Sequence, residues 1–260
     1  MKQEIYNKII QKKEFSKLPR KDVELAFSHF EKRQVSDEEK IRLTRDLLRK
    51  VFSGFTSEKL LSLKNKSPEW ILRKHLSTRE RLPYYKEIYG RIFKGFEKEV
   101  SVIDLGAGVN GFSYEFMTNI NKKIFYLAVE AVGQLVELMN YYFKTRGLEN
   151  AMAVQESIFN LKKTDLFLKQ VSRKKIIFLF KVIDSLEMLE RNYSKKLLKE
   201  IAPLADRVVV SFATRSMIKK KRFFANRNWI VDFLKKEFEI LDDFEIGGER
   251  YIVLKRPDEG

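Results

Sequence analysis

The chain has 260 residues, 52 Lys+Arg against 36 Asp+Glu for a formal net charge of +16, and no cysteine. That length accommodates one α/β domain and a smaller partner, and the lack of cysteine excludes disulfides, cysteine zinc sites and thiol nucleophiles, including the covalent cysteine route to pyrimidine C5 methylation. No window approaches the ~20 apolar residues of a membrane span and no long apolar leader follows Met1, so a soluble, cytoplasmic protein with no membrane partner is expected.

The basic excess is denser in residues 1–100 (25 basic, 15 acidic) than in residues 101–260 (27 basic, 21 acidic). A polyanion is the natural partner for such a surface, a solubilising lysine coat the plainer alternative. Residues 1–95 read as helical and basic. Ser36 and Glu39 have capping-box spacing, opening a helix with Ile41, Leu48, Val51 and Phe52 on one face. Arg42, Arg45 and Arg49 line an adjacent face with Lys50 further round; Arg45, Arg49 and Lys50 are the candidate phosphate contacts.

The next segment, Lys74 to Pro83, places Ser77 and Glu80 at capping-box spacing again. Arg79 and Arg81 flank Glu80, and one of them is positioned to pair with a cofactor carboxylate. His75 and His29 are otherwise read as structural or surface histidines.

From residue 96 to 260 strands alternate with helices, which predicts a doubly wound α/β sheet. Strands are expected near 100–104, 123–129, 151–155, 174–180 and 206–211, with helices near 112–119, 132–144, 184–200 and 227–237. A closing pair of strands flanks Gly247 and Gly248. The first strand, Ser101 to Leu105, runs into Gly106, Gly108 and Gly111, a G-x-G-x-x-G turn suited to a nucleotide-like cofactor. Asp104, two residues before the first glycine, fits an S-adenosylmethionine site better than a dinucleotide site, as does the antiparallel end of the sheet. Glu130 ends the second strand where an acid grips a ribose hydroxyl pair. Lys181 at the end of the fourth strand suits a phosphate or a base, and Arg215 beyond the fifth suits a phosphate or a stacked base.

Several of these blocks together resemble the aminoglycoside-resistance 16S rRNA (guanine-N7) methyltransferases of the Arm/Rmt group. His75 to Pro83 is similar to the family's H-x-S-T-x-E-R-L-P signature. Val102 to Asn110, Leu179-Phe180-Lys181 with Leu186-Glu187, and Ser211 to Ser216 against S-F-x-T-R-S follow in the family's order. The resemblance covers most of the chain, as that of a distant member: the glycine loop keeps Asn110 but lacks the family's cysteine and proline, and the family's tyrosine is missing near Ala225 to Trp229.

The resemblance implies a class I S-adenosylmethionine-dependent methyltransferase, with a Rossmann-like seven-stranded sheet behind an rRNA-binding helical domain at 1–95. It implies a cofactor set of His75, Ser77, Arg79 or Arg81, Asp104, Gly106, Ala107, Gly108, Asn110 and Glu130, with Arg79 or Arg81 on the methionine carboxylate. The family's usual aspartate next to the adenine is either replaced here by Glu156, followed by Ser157, or absent. Lys181, Glu187 and Arg215 would organise the target guanine and its phosphates. S-adenosyl-L-methionine is the implied cofactor, no metal is implied, and the implied partner is 16S rRNA in the assembled small subunit, approached by a monomer. Two other readings stay open at this level: methylation of another ring nitrogen or a ribose hydroxyl, and a non-catalytic RNA-binding assembly factor.

Overall fold

The computed structural model describes residues 1–53, 60, 66–96, 99–121, 123–171, 174–214 and 227–257. Arg215, together with Ser216, Ala225 and Asn226 of the blocks singled out above, lies outside the described residues.

The first part is helical: α1 (Gln3–Ile10), α2 (Arg20–Glu31), α3 (Asp37–Leu48), α4 (Pro68–Lys74), α5 (Leu76–Arg81) and α6 (Tyr85–Ile92). Ser36 caps α3 by accepting from the Glu39 amide at 3.2 Å. The Glu39 carboxylate does not reach back, as a full capping box requires, but takes a fork from Arg42. A π-helical turn, Arg49–Ser53, follows α3 and places Val51 and Phe52 beside the sheet's functional edge. Ser77 and Glu80 do not form a capping box. The chain is extended at His75, which is the N-cap of α5, so Ser77 already lies inside the helix, buried, and Glu80 turns to Lys181.

The second part comprises β1 (Val100–Leu105), α7 (Tyr114–Thr118), β2 (Ile124–Glu130), α8 (Gly133–Thr145), β3 (Ala151–Gln155), α9 (Leu161–Gln170), β4 (Lys174–Phe180), α10 (Ile183–Leu189), α11 (Tyr193–Ile201), β5 (Arg207–Ala213), α12 (Asn228–Glu237), β6 (Glu239–Ile246) and β7 (Glu249–Lys255). The strands form one seven-stranded sheet in the order β3-β2-β1-β4-β5-β7-β6. Five are parallel and β7 runs antiparallel to both neighbours, as the closing strand pair predicted. β1 is buried at every position, which explains its unbroken apolar run: a central parallel strand is covered on both faces.

Two helix assignments in the second part also change. The single helix near 184–200 is two helices, because Asn192 adopts a left-handed φ of 63° and breaks the chain between α10 and α11. Helix α9 was not expected: it buries only Thr164 and Leu168, too narrow a stripe to read as periodic. Buried apolar residues of the helical part and of the sheet form one continuous cluster, from Ile5 to Leu254.

Candidate cofactor cleft and its buried ion cluster

Strand order reverses between β1 and β4, and ligands of open α/β sheets bind outside the carboxyl ends of strands at such a point. A cleft of about 710 Å³, open to solvent on one side, lies there. Its floor is Gly106 and Gly108 after β1, Glu130 at the end of β2 with Ala131, Ile158 and Phe159 after β3, and Phe180 at the end of β4 with Lys181 and Val182. Helical segments close it with Asp22, Val51, Phe52, His75 and Ser77.

The glycine turn is shaped by sterics and anchored by hydrogen bonds. Gly106 has φ +74°, and a Cβ there would lie 2.6 Å from Val182 Cγ2. At Gly108 (φ +56°) a Cβ would lie 3.0 Å from His75 Nε2, so the imidazole sits directly over the loop. Gly111 has a different job: a Cβ there would lie 2.8 Å from Met139 Sδ and from Phe143 Cζ of α8, so it lets α8 pack closely against the turn. Beneath the loop, Asn110 Nδ2 donates to Asp104 Oδ2 (2.8 Å), Tyr126 Oη donates to the same oxygen (2.8 Å), and Tyr85 Oη donates to Asn110 Oδ1 (2.9 Å). Asp104 and Asn110 therefore brace the turn from below, and neither lines the cleft.

Glu130 holds the loop from its other side. Its Oε2 accepts from the Gly108 amide and its Oε1 from the Val132 amide, both at 2.8 Å. Burial, the largest influence, raises its carboxyl above the ordinary value despite these bonds. The lone pairs left on each oxygen are directed by this clamp, which is what a ribose diol requires.

Against the cleft wall sits a buried cluster of charges. Arg81 Nε donates to both oxygens of Glu249 (3.1 and 3.0 Å), with side-chain exposures of 3% and 1%. Lys181 Nζ bridges Glu80 (2.7 Å) and Glu249 (3.1 Å) and is 4% exposed. Ser211 donates to Glu249 and accepts from the Lys181 amide (3.0 Å). Two cations and two carboxylates make the cluster neutral, which is the condition for keeping charges out of water. Burial alone would raise the Glu249 carboxyl, but Arg81 and Lys181 outweigh it and hold it below its ordinary value. His75 is pushed down to about 3 by burial first and then by Arg81 and Lys181, so its ring is neutral. Lys181 has a left-handed φ of 56°, a conformation rare for a side chain with a Cβ and one that clusters at functional sites.

The cleft thus brings together His75, Ser77, Gly106, Gly108, Glu130 and Lys181 from the residues expected in the sequence. Others lie elsewhere. Arg79 is exposed. Arg81 is committed to Glu249 and packs its guanidinium over Phe180 at 4.8 Å. Ala107 is buried in the loop. Glu156, itself buried, pairs with Lys163 (2.7 Å), and Ser157 donates to Asp22 Oδ1 (2.8 Å). Glu187 caps the break before α11, accepting from the amides of Asn192 (2.6 Å) and Ser194 (3.0 Å) and from the Ser194 hydroxyl.

The basic face of α3 is likewise engaged within the chain. Arg45 donates to the carbonyls of Lys8 and Ile9 at the end of α1. Arg49 pairs with Asp46 (2.9 Å) and Glu14 (3.3 Å). Lys50 is exposed. Conversely, sequence reasoning missed Asp22, the π-turn pair Val51 and Phe52, and the apolar walls Leu135, Ile158 and Phe159. A lone acid in a charged helix carries no motif, and apolar wall residues are indistinguishable from core in sequence.

Comparison with known proteins agrees with this layout. A family model described as ribosomal RNA methyltransferase (FmrO) matches residues 42–242. A 16S rRNA (guanine(1405)-N(7))-methyltransferase of Proteus mirabilis is 24% identical over 190 residues, covering 72% of this chain and 64% of the relative. One of Frankia casuarinae is 30% identical over 147 residues, covering 56% of this chain and 48% of the relative. The chain therefore spans less than two thirds of the length of either curated relative. Among solved structures, the 16S rRNA methyltransferase RmtF in complex with S-adenosyl-L-homocysteine superposes with a TM-score of 0.77 at 19% identity, covering 98% of this chain and 97% of that one. The 16S rRNA methylase RmtB gives 0.73 at 19% identity, with 97% of each chain covered. These superpositions establish the shared fold, and with the family match over most of the sequence they place the protein: the chain belongs to the FmrO family of ribosomal RNA methyltransferases.

Proposed function

We propose that this protein is an S-adenosylmethionine-dependent methyltransferase acting on N7 of a decoding-site guanine of 16S rRNA in the assembled small subunit, and that its expression confers aminoglycoside resistance. The observation that carries the reading is the cleft at the switch point: two left-handed glycines, a clamped carboxylate at Glu130 and an apolar slot between Ala131 and Ile158. The fit with the cofactor is physical. Gly106 and Gly108 both line the cleft, so a bound ligand meets backbone there, while Val182 and His75 fill the sides on which a Cβ would stand. Glu130 suits a diol and the apolar walls suit a purine.

When bound, S-adenosylmethionine supplies a methyl group on a sulfonium. Guanine N7 presents an in-plane lone pair, so the protein needs no general base, and its contribution is placement of the base in line with the methyl group. In this reading Glu130 fixes the ribose and the neutral His75 packs the glycine loop against it. Lys181, anchored by Glu80 and Glu249, offers an ammonium at the cleft wall for a phosphate or the acceptor edge of the base. Arg215 and the exposed Lys50 are proposed RNA contacts. Methylated N7 loses an acceptor and gains positive charge, and both repel a polycationic drug.

Labelled methyl transfer tests the proposal. Assembled small subunits are expected to accept label and protein-free 16S rRNA to accept little. Equal labelling of both would remove the assembled subunit from the proposal, and labelling of neither would remove RNA methylation itself.

A further inference from the structure

The described cleft contains one acid that no motif announced and that the reaction above does not use. Asp22 stands in the first turn of α2, in the helical part of the chain, yet its side chain lines the cleft. It is 1% exposed. Its Oδ1 accepts from Ser157 Oγ at 2.8 Å, whereas Oδ2 is buried with no hydrogen-bond partner. A carboxylate oxygen in that condition is costly to leave unmatched, and burial, reinforced by the nearby Glu130 and Glu156, pushes the carboxyl up to about 7.

The placement of α2 is firm. Lys21 Nζ donates to the Phe159 carbonyl at 2.7 Å, and His29 Nε2 meets the Leu189 carbonyl at 2.8 Å. These contacts bracket Asp22 along the helix and hold it against the residues that follow β3. That end of the cleft lies beyond Glu130 from the glycine turn and is walled by Ile158 and Phe159. If Glu130 takes the ribose, the base lies between those walls. The acid that follows β3 in sequence, Glu156, is already engaged by Lys163, Asn160 and the Ser157 amide and does not line the cleft.

We propose that Asp22 Oδ2 accepts a hydrogen bond from the exocyclic amine of the cofactor's adenine, so that the helical part of the chain completes the cofactor site and sets its base specificity. This rests on the S-adenosylmethionine reading of the cleft. It makes Asp22 a cofactor-binding residue donated by the segment otherwise assigned to RNA, and cofactor occupancy would tighten the seating of α2 on the sheet.

The test is calorimetry on the full chain with two ligands: S-adenosylhomocysteine and its purine-riboside analogue, which lacks only the 6-amino group. At pH 8, where the Asp22 carboxyl is ionised, the wild type is expected to bind the analogue at least tenfold more weakly, the range of a hydrogen bond to a charged acceptor. In Asp22→Ala the two ligands are expected to bind within threefold of each other, because the discriminating acceptor is gone. Asp22→Asn, which keeps the shape and a partner for Ser157, is expected to lose affinity for S-adenosylhomocysteine but not for the analogue. Equal binding of both ligands by the wild type overturns the proposal without any variant, so a variant that fails to fold does not protect it. Discrimination that survives in Asp22→Ala overturns it as well. Binding of neither ligand by the wild type overturns the cofactor reading itself, a distinct outcome.

Discussion

Replacing Glu249 by Gln perturbs the fold at its most electrostatically demanding point. The native cluster balances Arg81 and Lys181 against Glu249 and Glu80, with Glu249 touching both cations. The amide keeps the shape and one acceptor but leaves two cations, 3% and 4% exposed, facing a single carboxylate. Breaking a buried pair by removing one partner costs about 3–5 kcal/mol; the retained acceptor places this variant near the lower end. With an unfolding entropy of ~2.1 cal/mol/K per residue, a chain of this size loses roughly 5–6 °C of Tm for about 3 kcal/mol. The assay is thermal unfolding followed by circular dichroism at low and high pH. Because the folded Glu249 carboxyl lies below its ordinary 4.5, the wild-type advantage is full above that pH and is lost as pH falls through the lower folded value. Adding Arg81→Met should return part of the loss by removing the stranded charge. A Tm at pH 7 within 1–2 °C of wild type would refute the claim that these charges depend on one another.

Four further outcomes follow from the same geometry. Asp22→Asn should be more stable than wild type at alkaline pH. The wild-type carboxyl, raised from 3.8 to about 7, holds a proton in the fold that the unfolded chain has released, so stability falls as pH rises through that window. The gain above pH 7 is at most about 4 kcal/mol and vanishes below pH 3.8; parallel denaturation curves at pH 4 and pH 8 read it. Glu130→Ala removes the clamp on the Gly108 and Val132 amides, and calorimetry with S-adenosylhomocysteine should show roughly 10–100-fold weaker binding. Gly106→Ala meets both a left-handed φ and a contact 2.6 Å away, and should abolish that binding while the far-UV spectrum stays native. Arg45→Ala unties α1 from α3 and should cost about 1 kcal/mol in urea denaturation, leaving the salt dependence of subunit binding unchanged. A flattened salt slope would instead make Arg45 a phosphate contact.

What could be read in the sequence was whatever is local. β1 and its glycine turn lie within one stretch of twelve residues, Val100 to Gly111, and Glu130 is marked by ending an apolar run, so both carboxyl-end positions were legible. The roles of Arg81 and Glu187 were not. Arg81 meets Glu249 across 168 residues of chain, and no spacing rule reports such a partner. Glu187 sits in a motif-like block, but its function depends on the left-handed turn at Asn192, which converts its carboxylate into a cap for α11. The basic stripe of α3 shows the same limit: Arg45 and Arg49 have the spacing of a phosphate-binding face, and tertiary packing gives them carbonyls and carboxylates instead. Asp22 could be placed only by the fold, because α2 carries it into the cleft from a segment with no motif.

The most direct test of the account is mass-spectrometric mapping of 16S rRNA from small subunits incubated with the purified protein, with and without S-adenosylmethionine. One cofactor-dependent methyl group is expected, on N7 of a decoding-site guanine. A methyl group on a ribose hydroxyl, on a different ring nitrogen or outside the decoding site would contradict it.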